Sequence, residues 1–240
     1  IADRKGADIM LKSYIAFDIE TTGLNPMENE IIEIGALKVR DGRVAERFME
    51  FIHPLSPISP MITGLTGITN EMVTDARSRS QVVSDFLDFC GDDVLIGHNV
   101  IFDYSFVKCS AVQDGLAFEK MGIDTLKIAK KVHADLESKS LGRLCDYYHI
   151  ENKSAHRAYH DALATAKLYQ TLAHYFEETD PKLFKPVQLT YKVKKPQPAT
   201  SKQISFLNSL IQKRGVKMDW DPEALTRSEA SRMIDGLLKG

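Results

Sequence analysis

The pair Asp41-Gly42 stands between two long runs of strand-forming residues, EIIEIGALKVR (30–40) and RVAERFMEFIH (43–53). Asp-Gly between such runs is a strong hairpin signal, because both turn positions tolerate a positive φ. A third strand-like run, SYIAFDIE (13–20), precedes them. After the loop-like HPLSPISPMITGLTGIT, whose prolines and glycines permit only short helical turns, the pattern changes. RSQVVSDFLDFC has helical periodicity, DVLIGHN is a short apolar run of buried-strand type, and Phe102 to Gln113 reads as helix. GIDTLKIAKKV begins as a strand and turns helical, and LGRLCDYYHI and RAYHDALATAKLYQTLAHYFEE are further helices. A meander followed by alternating strands and helices predicts an α/β domain, a mixed sheet flanked by helices.

Composition shifts after Glu178. Residues 179–200 read as a Lys/Pro-rich, semi-rigid linker. Residues 201–240 form a small basic helical module, with Ser201 as the expected N-cap of its first helix, Gly215 as its stop, and a Thr226/Glu229 capping box on the second. The near-neutral total hides a polarity: residues 1–180 carry 19 Lys and Arg against 28 Asp and Glu, and residues 181–240 carry 12 against 5. An acidic body with a basic tail fits either a tail that meets an anionic polymer or a solvated lysine-rich linker. Cys90, Cys109 and Cys145 are odd in number and widely spaced, which fits free thiols in a reducing cytoplasm rather than a disulfide framework or CxxC metal site. No run approaches the roughly 18 apolar residues of a membrane span, and the first dozen residues hold no apolar core of leader length.

Two acids break the first strand. In FDIETTGL (17–24) Asp18 and Glu20 project from one face, and Ile15, Phe17 and Ile19 from the other. Like charges this close repel, and desolvation adds to the cost. A divalent cation offsets both, and hard carboxylate oxygens suit Mg²⁺ or Mn²⁺ better than Zn²⁺. Asp103, in GHNVIFDYSF, lies near the start of a helix after a buried strand, and Asp161, in HRAYHDALAT, near the start of the long helix. Four carboxylates converging from three segments would form a two-metal site able to clamp a phosphodiester. His156 and His160 could share a helix face as an HxxxH zinc pair, but Arg157 occupies the place where the zinc-protease pattern needs Glu.

FDIETTGL, HNVIFDYSF and HRAYHDA resemble the three exonuclease motifs of the DEDDh superfamily, and most nearly its DnaQ-like proofreading members. These include the DNA polymerase III epsilon subunit and the exonuclease insertion of the Gram-positive replicative polymerase. The resemblance covers 13–178, with GLTGIT and IDTLKIAKK also similar. It implies a ribonuclease H-like fold and two divalent cations, Mg²⁺ or Mn²⁺, held by Asp18, Glu20, Asp103 and Asp161. The family spacing of His, four residues and Asp selects His156 as general base, on a loop before the helix, with His160 a helix-face residue. A neutral imidazole can take a proton from an attacking water. The resemblance further implies that Thr21, Thr22, Gly23 and Leu24 hold the 3′-terminal nucleotide, with Leu24 wedged against its base. His98, Asn99 and Phe102 would contact the terminal and penultimate nucleotides. Asp124 reads as structural, an N-cap with Thr125.

The expected activity is 3′-5′ hydrolysis of single-stranded DNA ends to nucleoside 5′-monophosphates, in proofreading or repair. The expected partners are a single-stranded nucleic acid 3′ end, DNA before RNA, and a DNA polymerase; no membrane is expected. The other readings are an RNA-directed 3′ exonuclease and a polymerase-docking or nucleic-acid-binding adaptor. The tail departs from the usual polymerase-binding tail of the epsilon subunit.

Overall fold

The computed structural model describes residues 10–152, 156–193, 197–216 and 225–239. Six strands form one sheet: β1 (Tyr14–Thr21), β2 (Ile31–Arg40), β3 (Arg43–Phe51), β4 (Leu95–Gly97), β5 (Met121–Asp124) and β6 (Val187–Gln188). Their order across the sheet is β3-β2-β1-β4-β5-β6. β1, β2 and β3 pair antiparallel, β1-β4-β5 parallel, and β6 antiparallel to β5. The α/β class with a mixed, helix-flanked sheet is the one the sequence predicts. Asp41 and Gly42 turn the β2–β3 hairpin with φ of 49° and 76°, the two positive values of a type I′ turn.

The helices are α1 (Pro60–Thr66), α2 (Arg79–Cys90), α3 (Val100–Gln113), α4 (Thr125–Val132), α5 (Leu141–Tyr147), α6 (Ala158–Phe176), α7 (Ser201–Arg214) and α8 (Arg227–Lys239). The alternation of β1 divides the core. Ile15, Phe17 and Ile19 pack with Val82, Val83 and Phe86 of α2 and Val100, Phe106 and Val107 of α3. Tyr14 and Ala16 pack with Ala162, Ala166, Tyr169 and Leu172 of α6 on the opposite face. Asp18 and Glu20 share the parity of Tyr14 and Ala16, so they belong to the α6 face.

One close approach sets the register of that layer. Gly35, the cross-strand partner of Asp18, lies so near the start of α6 that a Cβ there would sit 2.0 Å from the Tyr159 amide nitrogen. The missing side chain lets the first turn of α6 rest on the backbone of β2.

The stretch expected as a linker does more than connect. It supplies β6, and Phe184 and Leu189 are buried in the body, because each finds an apolar gap beside the sheet. The first helix of the C-terminal module is capped one residue earlier than expected. Thr200, not Ser201, exchanges hydrogen bonds with Gln203, while Gly215 ends the helix with φ of 65°. On α8 the Thr226/Glu229 box forms, with Thr226 N donating to Glu229 Oε2 at 2.9 Å and Glu229 N to Thr226 Oγ1 at 3.3 Å. All three cysteines are free and buried. Among the described residues no helix is long and apolar enough to cross a membrane. The leader-free reading of the start of the chain falls mostly on residues outside those described.

Candidate active site

β1 runs beyond β4. Their pairing ends at Ala16–Ile96, so the Ile19 N–H, past that limit, needs another acceptor. Asp103, in the first turn of α3, supplies it, with Oδ1 3.1 Å from Ile19 N. This hydrogen bond carries an acid from the α3 layer to the end of the strand that displays Asp18 and Glu20. A register shift between Glu20 and Thr21 is the kind of bulge that re-aims a side chain at a sheet edge.

From the other layer comes Asp161, buried in the first turn of α6. Asn152 Nδ2 donates to its Oδ1 at 2.8 Å and His156 N to its Oδ2 at 2.8 Å. That second bond holds His156 in a left-handed turn, φ 64°, two residues ahead of α6 and exposed to solvent. Ligand atoms of Glu20, His156 and Asp161 all lie within 4.8 Å of one another. His160 stands on the exposed face of α6 and takes no part in that group.

An ion pair between β2 and the residue ahead of α6 supports the turn. Arg157 meets Glu33 side-on, Nη2 2.9 Å from Oε1 and Nε 3.2 Å and 3.3 Å from the two oxygens. Glu33 Oε2 also accepts the first N–H of α6, from Ala158, at 3.1 Å. The carboxylate thus caps the helix from the sheet. Glu33 lies directly opposite Glu20 across β1 and β2. Glu33 is ion-paired with Arg157; among the described residues Glu20 has no ion pair of its own.

That difference shows in the protonation equilibria. Burial, and then the charges of Asp103, Asp161, Glu20 and Glu33, hold the Asp18 carboxyl well above the usual carboxylate range. The Asp103 carboxyl is raised as well, chiefly by burial, against the hydrogen bond from Ile19. Burial, with Asp161 and Glu33, lifts Glu20 to about 8, against a lesser pull from Arg157. The four acids are therefore close enough to repel, and their oxygens form a hard, anionic donor set with excess negative charge. Such a set fits divalent cations of the Mg²⁺ class.

A carboxyl with a raised folded-state pKa holds its proton more tightly folded than unfolded. The stability tied to Glu20 is fully present below about pH 4.5 and lost as pH rises through about 8. In chelator, wild type should lose roughly 3–4 kcal/mol relative to Glu20→Gln between about pH 5 and pH 8. Urea melts at both pH values measure it, and a difference that stays flat would remove the repulsion from the account.

Residues expected at the substrate divide into two sets. Leu24 is 84 % exposed, a large apolar side chain held out from the edge of the site. Gly23 packs against Asn29, where a Cβ would lie 2.6 Å from its side chain. Thr21 Oγ1 donates to Gly23 O at 2.7 Å, and Thr22 Oγ1 accepts from Glu30 N at 2.9 Å, so both hydroxyls shape the loop. Asn99 is exposed at the head of α3, with φ 70°, its own N–H donating to Asp124 Oδ1 at 2.9 Å. The same oxygen caps α4 through Leu126 N at 3.0 Å, the structural role expected of Asp124. Phe102 is half-buried and rests on Phe106, ring centroids 5.1 Å apart. His98 differs from expectation. Its Nδ1 meets Thr125 Oγ1 at 2.9 Å and its Nε2 meets Lys139 O at 2.8 Å, so neither ring nitrogen is left for a nucleotide. Burial accordingly pulls its pKa down.

The RNase_T family, described as an exonuclease, matches residues 15–169. The DNA polymerase III PolC-type protein of Caldanaerobacter subterraneus subsp. tengcongensis is 39% identical over 165 residues, which cover 69% of this chain and 12% of that protein. Its counterpart from Lacticaseibacillus paracasei is 31% identical over 250 residues, covering 97% of this chain and 17% of its own. The chain spans less than a fifth of the length of either relative. Among solved structures, exonuclease X in complex with 5′ overhanging duplex DNA aligns with a TM-score of 0.58 and 24% identity over 71% of this chain and 96% of that one. Escherichia coli exonuclease I with a dA16 oligonucleotide aligns with a TM-score of 0.61 and 17% identity over 72% of this chain and 42% of that one. At these identities the likeness is one of fold, the ribonuclease H-like arrangement.

Proposed function

This chain belongs to the RNase_T exonuclease family, and from that premise we propose that it removes nucleotides one at a time from the 3′ end of single-stranded DNA. The observation that carries this reading is the convergence of four acids from three segments on the end of β1, with His156 at their rim. Asp18, Glu20, Asp103 and Asp161 would hold two divalent cations, Mg²⁺ or Mn²⁺. When bound, these would polarise the phosphoryl oxygens and stabilise charge on the leaving 3′ oxygen.

The chain's own groups do the rest. His156, exposed and tethered through its backbone to Asp161, takes the proton of the attacking water. Arg157 and Glu33 fix the turn from which that imidazole projects. Leu24 wedges against the terminal base, Gly23 lets the backbone approach the sugar, and Asn99 and Phe102 face the adjoining nucleotide. Contacts of this kind discriminate poorly among bases. His98 acts as a positioning residue, tying the head of α3 to α4. Residues 13–178 are the catalytic unit, 179–200 the connection and 201–240 an accessory module. The proposed role is proofreading or repair, supported by the likeness of this chain to one segment of DNA polymerase III PolC-type proteins.

The test uses 3′-labelled single-stranded DNA, duplex DNA and RNA with Mg²⁺, Mn²⁺ or EDTA. Labelled nucleoside 5′-monophosphate should appear first from single-stranded DNA, and not at all in EDTA. Hydrolysis that survives EDTA would overturn the mechanism, and faster release from RNA would overturn the substrate.

A further inference from the structure

We infer that α8 braces the loop that presents Leu24, and that Arg232 is a positioning residue for the terminal nucleotide; the inference rests on the exonuclease reading above. The loop returns to the sheet at Glu30, which is bound twice to Thr22: Thr22 N donates to Glu30 O at 2.9 Å, and Glu30 N to Thr22 Oγ1 at 2.9 Å. Inside it, Asn25 and Asn29 close a turn, with Asn29 N donating to Asn25 O at 2.8 Å and Asn25 N to Asn29 Oδ1 at 2.9 Å. Leu24 projects from this frame at 84 % exposure. Its own packing does not aim it, so the frame must.

The frame is held from behind by a residue two hundred positions away. Arg232 Nη1 donates to Glu28 O at 3.4 Å, and Arg232 Nε lies 3.8 Å from Glu30 Oε2. The two side chains are only 14 % and 12 % exposed, so water screens the pair weakly. Glu30 Oε1 accepts from Leu55 N at 3.0 Å. α8 is itself moored to the body. Ser56 Oγ donates to Arg232 O at 2.9 Å, and Arg79 bridges Asp114 at 2.8 Å and Glu229 at 3.5 Å. Gly236 lies against Pro57, where a Cβ would touch Cδ at 3.4 Å. The path from α8 runs through Glu30 to Thr22 and so to Gly23-Leu24, without touching the acids. The module should therefore govern how firmly the terminal nucleotide is held rather than how fast its phosphodiester breaks.

The experiment measures steady-state hydrolysis of 3′-labelled single-stranded DNA in Mg²⁺, over a range of salt, for the full chain and its Arg232→Gln, Arg232→Ala and Arg232→Lys forms. Arg232→Gln and Arg232→Ala should raise KM about fivefold to tenfold with kcat within about twofold, and the slope of log KM against log salt should not change. Arg232→Lys keeps the charge and most of the stem, and should recover most of the lost affinity. A structural defect alone would lower kcat with the folded fraction, so this split is the diagnostic readout. An unchanged KM in Arg232→Gln beside an active wild type would overturn the brace and leave the exonuclease reading standing. A shallower salt slope would also overturn it, by making Arg232 a direct phosphate contact. Absence of hydrolysis by wild type would instead defeat the reading on which the brace rests.

Discussion

Asp18→Ala is expected to slow hydrolysis of the terminal phosphodiester by about 10³-fold or more, equivalent to roughly 4 kcal/mol of transition-state stabilisation. Asp18 is the acid on which the charges of Asp103, Asp161, Glu20 and Glu33 all bear, so it is the group best placed to share cations with the others. Removing it would take an oxygen donor from the proposed set, and His156 alone could not replace it. The same substitution relieves repulsion. In chelator the variant should be at least as stable as wild type, because burial among like charges holds the Asp18 carboxyl well above the usual carboxylate range and makes its charged form a cost to the fold. Activity falling while stability holds or rises marks a residue kept for chemistry. Single-turnover hydrolysis and urea melts on the same preparations check both halves, and a rate within tenfold of wild type would end the assignment of Asp18.

Gly35→Ala is expected to have the largest effect of any substitution outside the charged groups. Its Cβ would fall 2.0 Å from Tyr159 N and 2.2 Å from Ala158 C, and backbone of a helix cannot yield as a flexible side chain does. The first turn of α6 must lift. Overpacking of this kind costs about 1–3 kcal/mol or more. Asp161 rides on that turn, so displacement by about 1 Å should lower kcat about 10²-fold. Gly64 in α1 has open space around it, and Gly64→Ala is the control, with kcat unchanged and stability equal to wild type or higher by up to about 1 kcal/mol. If Gly35→Ala kept both wild-type stability and kcat, α6 would not depend on this contact for its seat.

The acids of β1 and the hairpin beside it are legible in the sequence, because strand alternation and an Asp-Gly turn are local rules. Asp161 is placed for a related reason, since the start of a long amphipathic helix is marked by its own periodicity, whereas His156 is picked out over His160 only by the spacing that the family resemblance implies. Glu33 shows the same anomaly as Asp18 and Glu20, an acid inside the apolar run IIEIGAL, and that signal could have found it. Its partner could not be found so, since Arg157 lies 124 residues away and their pairing depends on how α6 settles on β2. The Thr21 hydroxyl and the His98 ring, expected at substrate, are instead engaged in internal hydrogen bonds, while the Thr22 hydroxyl accepts from Glu30 N and keeps its own proton. Residue type shows that a group can donate; only the fold shows that it already does. The mooring of α8 was invisible for a similar reason, since its contacts reach back to Glu28, Glu30, Ser56 and Arg79.

Asp103 arrives from one helical layer and Asp161 from the other, and β1 is the strand between them. Neither layer carries half of a working centre. A partial opening that lifts either helix scatters the ligands all at once, so a half-folded or clipped chain loses its power to cut before it loses its shape. For a chain with the proposed exonuclease activity, that confines the hazard to molecules that have closed completely.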